Sequence, residues 1–233
     1  MSRPHLPLLL ATLSGLVAAS CNRQPLPTTD EARLLVIDGI EVRVADLAPY
    51  LEFFDSFLPE AGRKVKVQRV LDDHLLPLQL ARRSFAEPRQ KLLAEARQLC
   101  EVATNFYELE QQTTNVVYRK RLNQTRLKPR LPVSMFLFDP LRTGAVSAPI
   151  EVPQGWIVAS AFELHESPLK SDDYVDGLQV AYFTHSDQEW LDWYAAQKLL
   201  LADKVTFVHP DYREAMPAWM HLPERLATAQ PAK

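Results

Sequence analysis

The spacing of apolar residues changes near residue 120, and this change constrains the fold more than any other feature of the chain. Before it, apolar residues recur three or four positions apart, which is typical of amphipathic helices. After it, they alternate with polar residues in short runs, which is typical of half-buried strands. The sequence therefore predicts an α+β protein with a mainly helical amino-terminal part, a β-rich part, and a final helix and strand.

A hairpin and a capped helix are predicted at the start of the helical part. Asp38-Gly39 separates two apolar-rich runs, and this pair is preferred in tight hairpin turns, so we expect a small hairpin over residues 34–44. Asp46 is expected to cap the first helix, with Pro49 in the first turn, where a missing backbone N–H costs little.

Two further helices complete the predicted helical part. Apolar residues at helical spacing predict a second helix over about residues 63–84, which Pro77 is expected to bend. Pro88 is expected to begin a third helix that runs to about residue 115. The lone thiol of Cys100 lies within the apolar spacing of this third helix, which favours a buried small hydrophobe over a nucleophile.

The β-rich part follows a segment that we interpret as a connector. Residues 119–132, RKRLNQTRLKPRLP, are basic and punctuated by proline, which is typical of a linker rather than a packed element. Gly144 and Gly155 mark turns, and the alternation that follows Gly155 predicts a strand. A second strand is expected over residues 178–185.

A capping box marks the start of the last predicted helix. Ser186 and Glu189 have the Ser-x-x-Glu spacing in which each side chain bonds the other residue's backbone N–H. The helix carries Trp190, Trp193 and Tyr194, an aromatic group that belongs more often to a core than to a ligand platform. The run KVTFVHP then predicts a final strand.

The first twenty residues have the layout of a signal peptide, because Arg3 precedes an apolar run over residues 8–19 that is too short for a stable membrane span. The stretch LVAASC, which ends at Cys21, resembles a bacterial lipobox, in which the cysteine receives a diacylglycerol. An ordinary signal peptide with an incidental cysteine is the alternative. Asn22 follows the cysteine. The resemblance to such lipoproteins implies that a protein with this residue is placed on the periplasmic face of the outer membrane in a Gram-negative cell.

These expectations divide the chain into six parts. They are a signal peptide over residues 1–20, a lipid-anchored tether over 21–33, a helical module over 34–120, a β-rich part over 121–185, a final helix and strand over 186–222, and a tail over 223–233. Removal of residues 1–20 takes away one charged residue, Arg3, and leaves 25 basic against 29 acidic residues, a net charge of −4. That modest charge, without a basic stripe, argues against nucleic acid as a partner.

The sequence lacks the commonest catalytic signatures. It has no glycine-rich phosphate loop, no paired-cysteine metal motif and no Gly-x-Ser-x-Gly elbow, so we predict neither a cofactor nor a metal. Asp72-Asp73-His74 is the densest polar cluster, but adjacent helical positions point in different directions, so we expect a solvated helix face there. Three more histidines stand singly beside predicted strand ends, where surface or hydrogen-bonded histidines are usual: His165, His185 and His209.

The order of the predicted elements resembles a known family. A leader, a hairpin of the form V-I-D-G-I-x-V, a first helix and a long helix with the run LLPLQLARRS are similar to the amino-terminal module of SurA-type periplasmic chaperones and PpiC-type parvulin isomerases. The stretch MFLFDPLRTGAVSAPIEVPQGWIVASAFELHES resembles the last third of a parvulin domain. This resemblance implies that the carboxy-terminal strand, around residues 205–208, lies beside the first hairpin and completes the helical module.

The same resemblance implies a truncated and degenerate parvulin part over residues 121–185. Parvulin isomerases place a histidine after a Gly-aromatic pair, whereas Ile157 stands at that position here. No histidine occurs between His74 and His165, so the paired histidines of the family are missing. We therefore predict no catalytic residue.

We expect a non-catalytic envelope lipoprotein that acts as a chaperone or assembly factor. It would bind unfolded or extended client polypeptides in a groove between the helical module and the β part, and would contact the membrane through the lipid on Cys21. The candidate client-binding residues are large apolar side chains from two helices: Phe53, Phe54, Phe57, Trp190 and Trp193. A divergent peptidyl-prolyl cis-trans isomerase is the enzymatic alternative, and a dedicated interaction lipoprotein of a secretion or export complex is the third.

Overall fold

The computed structural model describes residues 32–114 and 119–220, and its α+β architecture confirms the expected fold class. Helices α1–α7 are Val44–Phe57, Arg63–Val70, Leu76–Ser84, Ala86–Val102, Phe106–Gln112, Leu131–Leu137 and Asp187–Leu201. Strands β1–β7 are Arg33–Ile37, Ile40–Arg43, Arg119–Thr125, Ile150–Val152, Gly155–His165, Tyr174–Phe183 and Val205–Val208. In the described ranges, no helix is long and apolar enough to cross a bilayer.

The strands form two antiparallel sheets, with the orders β2-β1-β7 and β3-β6-β5-β4. In the first sheet Val36 pairs with Phe207, so a strand from late in the chain joins the first hairpin. The expected proximity of residues 205–208 to the hairpin is therefore confirmed. The strands predicted after Gly155 and over residues 178–185 are confirmed as β5 and β6.

The predicted hairpin is confirmed, but its junction with α1 differs from the expectation. The turn residues Asp38 and Gly39 both have positive φ, 48° and 72°, as a tight hairpin turn requires. Asp46 was expected to cap α1, and this is wrong, because β2 runs directly into a helix that begins at Val44. Asp46 is the third helical residue, and its carboxylate accepts a hydrogen bond from the backbone N–H of Arg43 at 2.7 Å.

Pro49 and Pro77 are both accommodated within helical structure. Pro49 was expected in the first turn of α1, but it is the sixth residue of that helix. The second predicted helix is confirmed as a continuous helical stretch in which a π-helical segment, Leu71–Leu75, joins α2 to α3. The N–H of Leu76 donates to the carbonyl of Leu71, five residues back. Pro77 has no N–H to donate, which favours such a widened turn just before it.

The third predicted helix is wrong as a single element, because α4 ends at Val102 and α5 starts at Phe106. Asn105 interrupts the helix. Its backbone is extended and pairs with Ala145, and its side chain caps α5 by accepting a hydrogen bond from the N–H of Glu108 at 3.1 Å.

The predicted connector contains a strand, so that interpretation is also wrong. All seven residues of β3, Arg119–Thr125, pair with β6. Leu122 is buried and holds β3 against the sheet, whereas Lys120 and Arg121 are exposed. Pairing with a distant strand therefore gives structure to a segment whose local composition is typical of a linker.

Two regions of apolar packing organise these elements. The first sheet, α1–α3, the π-helical segment and α7 enclose one core. The second sheet lies between α6 on one face and α4 and α5 on the other, since Ile157 and Ala159 of β5 pack with α6 while Val158 packs with α4 and α5. The predicted capping box of α7 is confirmed, because Ser186 and Glu189 bond each other's backbone N–H.

Candidate functional site

A groove separates α1 from α6 and β4, where the helical part meets the β part. Its volume is about 480 Å³, within the range that is usual for ligand sites. The walls are predominantly apolar and include three prolines. They are formed by Pro49, Pro132, Met135, Phe136, Pro149 and Ile150. Such a surface suits an apolar segment better than a charged small molecule.

Helix α6 supplies one wall because its residues divide between the core and the groove. Val133 and Leu137 are fully buried under the second sheet. Pro132 and Met135 remain half-buried and line the groove. Pro132 is tolerated because it lies in the first turn of the helix, where its missing N–H would have no intrahelical partner.

Tyr50 forms part of the opposite wall and is held by a buried histidine. The Tyr50 hydroxyl lies 2.7 Å from Nε2 of His74, whose ring is 2% exposed. Burial lowers the pKa of His74 to about 4, so the imidazole is neutral at pH 7. Burial also raises the pKa of Tyr50 to about 12, so the hydroxyl keeps its proton. The expectation of a solvated helix face is therefore wrong for His74.

The polar side chains of the π-helical segment contact different neighbours. The carboxylate of Asp72 accepts hydrogen bonds from the Tyr194 hydroxyl at 3.0 Å, from Nε1 of Trp219 at 3.2 Å and from Nζ of Lys198 at 3.0 Å. Asp72 is therefore also not on a solvated face, because it joins the segment to α7 and to the short 3₁₀ helix Ala218–Met220. Asp73 is exposed, as expected, and pairs with Arg69.

An ion-pair network beside the groove joins the helical part to the second sheet. Glu151 in β4 accepts hydrogen bonds from Arg82 at 3.0 Å and from Arg89 at 2.8 Å. Burial acts to raise the pKa of Glu151, but the hydrogen bonds from Arg82 and Arg89 outweigh it and hold the pKa below its usual value. This carboxylate therefore stays charged at neutral pH and fixes β4 relative to α3 and α4.

A second, smaller cavity of about 210 Å³ lies beside Phe54 and is lined by several basic residues. Its arginines pair with carboxylates of the protein: Arg69 with Asp73, Arg126 with Asp173 and Arg130 with Asp187. Most of the positive charge is thus balanced within the protein, and we assign no ligand to this cavity.

The other three histidines of the described residues each have a hydrogen-bond partner, as expected beside strand ends. His165 contacts Asp176 at 3.0 Å, His185 contacts Thr184 at 2.9 Å, and His209 accepts from the N–H of Asp211 at 3.3 Å. In the part of the chain that the structure describes, no group of three His, Cys, Asp or Glu residues could hold a metal ion.

The five predicted client-binding residues do not form a common surface. Phe54, Phe57 and Trp190 are core residues, with at most 5% of each exposed, so they could reach a client only if the helical part unpacked. Phe53 and Trp193 are half-buried. Phe53 packs against both the helical core and the core under α6, so it links the two parts of the protein.

The groove residues were absent from the predicted set because they come from three distant stretches of the chain. Two of those stretches carry a signal in the sequence, since LPVSM and SAPI combine proline with other apolar residues. The predicted burial of Cys100 is confirmed only in part, because the thiol is half-buried. It packs against the core under α4 and α5 and donates to the carbonyl of Ser147 at 3.3 Å, and burial raises the pKa of the thiol. Cys21 lies outside the described residues.

Comparison with known proteins identifies no relative of this chain. No protein-family model, curated protein or solved structure matches it. Function is therefore inferred from the geometry of the groove and from the sequence features described above.

Proposed function

We propose that this protein is a non-catalytic chaperone or assembly factor of the bacterial envelope that binds extended segments of client polypeptides. The groove between α1 and α6 is the observation that carries the proposal. Its apolar walls would cover apolar side chains of an extended segment, while its open side would leave the rest of the client in solvent.

The charge of the groove supports a polypeptide segment as the occupant. Among the described groove residues, Arg142 carries the only formal charge, and Asp139 already pairs with it at 2.9 Å. The guanidinium of Arg142 also lies over the ring of Phe136, 5.4 Å from its centroid. An apolar segment could therefore bind in the groove without leaving a charged side chain buried and unpaired.

The pairing of β7 with β1 gives a second line of support. This arrangement is the one that the resemblance to SurA-type chaperones implied, and it agrees with a chaperone role. The lipobox-like stretch that ends at Cys21 supports attachment to the envelope, where unfolded secreted proteins would be the clients.

The proposal can be tested by adding the purified chain to a urea-unfolded outer-membrane β-barrel protein and measuring light scattering after dilution. We expect the chain to suppress aggregation, and we expect Met135→Asp to weaken this effect because it places a charge in the apolar groove. Leu199→Asp is the matched control, since Leu199 is 82% exposed on α7 and does not line the groove. Equal suppression by both variants would show that the groove is not the binding site.

A protease-coupled proline-peptide isomerisation assay separates the proposed function from the enzymatic alternative. We expect no turnover. Turnover by the wild-type chain that Met135→Asp abolishes would make the groove an active site and the protein a divergent isomerase. If neither activity is found, a dedicated envelope partner becomes the leading hypothesis, and crosslinking from position 135 in the native envelope would identify it.

A further inference from the structure

The hydrogen bond between Tyr50 and His74 can be arranged in two ways, and the buried ring nitrogens decide between them. Nε2 of His74 faces the Tyr50 hydroxyl, whereas Nδ1 is buried without a hydrogen-bond partner among the described residues. In one tautomer Nδ1 carries the hydrogen and Nε2 accepts from the hydroxyl. In the other, Nε2 carries the hydrogen and donates it to the hydroxyl oxygen.

The second tautomer is favoured because of the unpartnered Nδ1 atom. A buried N–H without an acceptor is rarer in proteins than a buried acceptor without a donor. Placing the hydrogen on Nε2 leaves Nδ1 as an unpartnered acceptor and gives the imidazole N–H a partner at 2.7 Å. His74 is thus the donor, and the Tyr50 oxygen is the acceptor.

This assignment leaves the hydroxyl hydrogen of Tyr50 available. The described residues provide no second hydrogen-bond partner for this hydroxyl, and Tyr50 lies in the wall of the groove. The guanidinium of Arg142, which also lines the groove, is a donor as well. The groove therefore offers hydrogen-bond donors to whatever enters it, which complements the carbonyl oxygens along an extended peptide.

We infer that Tyr50 donates a hydrogen bond to a main-chain carbonyl of the bound segment, and that His74 is a positioning residue that holds the hydroxyl in the donating orientation. The inference rests on the proposed function and adds to it a polar contact that is independent of the client's side chains. Binding would then depend on the peptide backbone as well as on apolar side chains, which suits a protein that accepts many client sequences.

The test measures fluorescence anisotropy of a fluorescein-labelled peptide of alternating leucine and proline residues with the full chain. Tyr50→Phe removes the hydroxyl and keeps the ring, so we expect binding that is about three- to tenfold weaker, as for loss of one hydrogen bond. Tyr107→Phe is the matched control, because Tyr107 is 67% exposed on α5 and outside the groove. His74→Leu should weaken binding less than Tyr50→Phe, and the double variant should bind like Tyr50→Phe alone.

A thioamide scan makes the test specific for the carbonyl acceptor. Each peptide in the scan replaces one carbonyl oxygen by sulfur, which is a weaker acceptor. We expect one position to weaken binding to the wild-type chain and to have no effect on binding to Tyr50→Phe. If the wild-type chain and Tyr50→Phe bind every peptide equally, the inference is wrong while the proposed function stands. If the wild-type chain binds neither the peptide nor the unfolded client, both are wrong.

Discussion

Leu35 and Val208 are direct partners across the antiparallel pair formed by β1 and β7, and both side chains are buried in the core of the helical part. The two residues come from opposite ends of the described chain. The helical part is therefore not an autonomous amino-terminal unit, because its sheet includes a strand that follows the whole β part.

Val208→Asp is expected to destabilise the protein by at least about 3 kcal/mol, because it buries an unpaired carboxylate in the core. Thr206→Asp is the control within the same strand. Thr206 is exposed and donates one hydrogen bond, to the carbonyl of Val36 at 3.3 Å, so this substitution should lower the free energy of unfolding by no more than about 1.5 kcal/mol. Urea unfolding followed by circular dichroism measures both. Equal effects would mean that β7 does not contribute to the core.

Glu151→Gln is expected to lower the free energy of unfolding by roughly 2 kcal/mol, because it leaves the guanidinium of Arg89, which is 4% exposed, without its charged partner. Glu166→Gln is a suitable control, as Glu166 forms an exposed pair with Lys170 on the surface. Since the pKa of Glu151 is lowered by folding, the stability that its charge confers is present above the ordinary pKa and is lost as pH falls below it. Glu151→Gln should therefore show a weaker loss of stability in acid than the wild-type chain.

The lowered pKa of His74 predicts a second, separate pH dependence of the free energy of unfolding. Folding lowers its pKa from 6.5 to about 4, so the unfolded chain binds more protons between these two values and stability falls as pH decreases through this window. Between pH 7.5 and pH 5 we expect a loss of roughly 2 kcal/mol from this one group. Urea unfolding at the two pH values should show a smaller difference in His74→Leu. Leu141→Ala, which changes a side chain that is 93% exposed and does not titrate, should leave the difference unchanged.

The lipobox-like stretch predicts that Cys21 carries a covalently attached lipid. When cells that express the chain are fed an alkyne analogue of palmitate, we expect the protein to become labelled and to fractionate with membranes. Cys21→Ser should abolish both results, whereas Cys100→Ser, which alters a half-buried thiol in α4, should retain them. Labelling that survives Cys21→Ser would rule out the lipobox interpretation.

Features that depend on neighbouring residues were predictable from the sequence. The Asp38-Gly39 turn and the capping box of Ser186 and Glu189 are local, because each is defined by a few consecutive positions whose side chains or backbone interact directly. Strand β5 was also predictable, since its alternating residues face the two helical layers on either side of the sheet.

Features that depend on distant pairing were missed for a physical reason. Strand β3 has a basic composition, and only its ladder with β6 makes it a strand. His74 belongs to the polar run Asp72-Asp73-His74, which predicts an exposed helix face. Its side chain instead contacts Tyr50, 24 positions earlier in the chain. The groove combines segments that are brought together by the docking of α6 on the second sheet, which no local pattern encodes.

The π-helical segment Leu71–Leu75 acts as a one-residue insertion within an otherwise continuous helical rod. If the same residues formed a regular α-helix, α3 would be rotated by about 100° relative to α2. Leu76 and Leu80 of α3, which lie in the same core as Val67 and Val70 of α2, would then turn away from that core. The extra residue thus sets the phase between the two halves of the rod, so that both halves bury their apolar residues in one core.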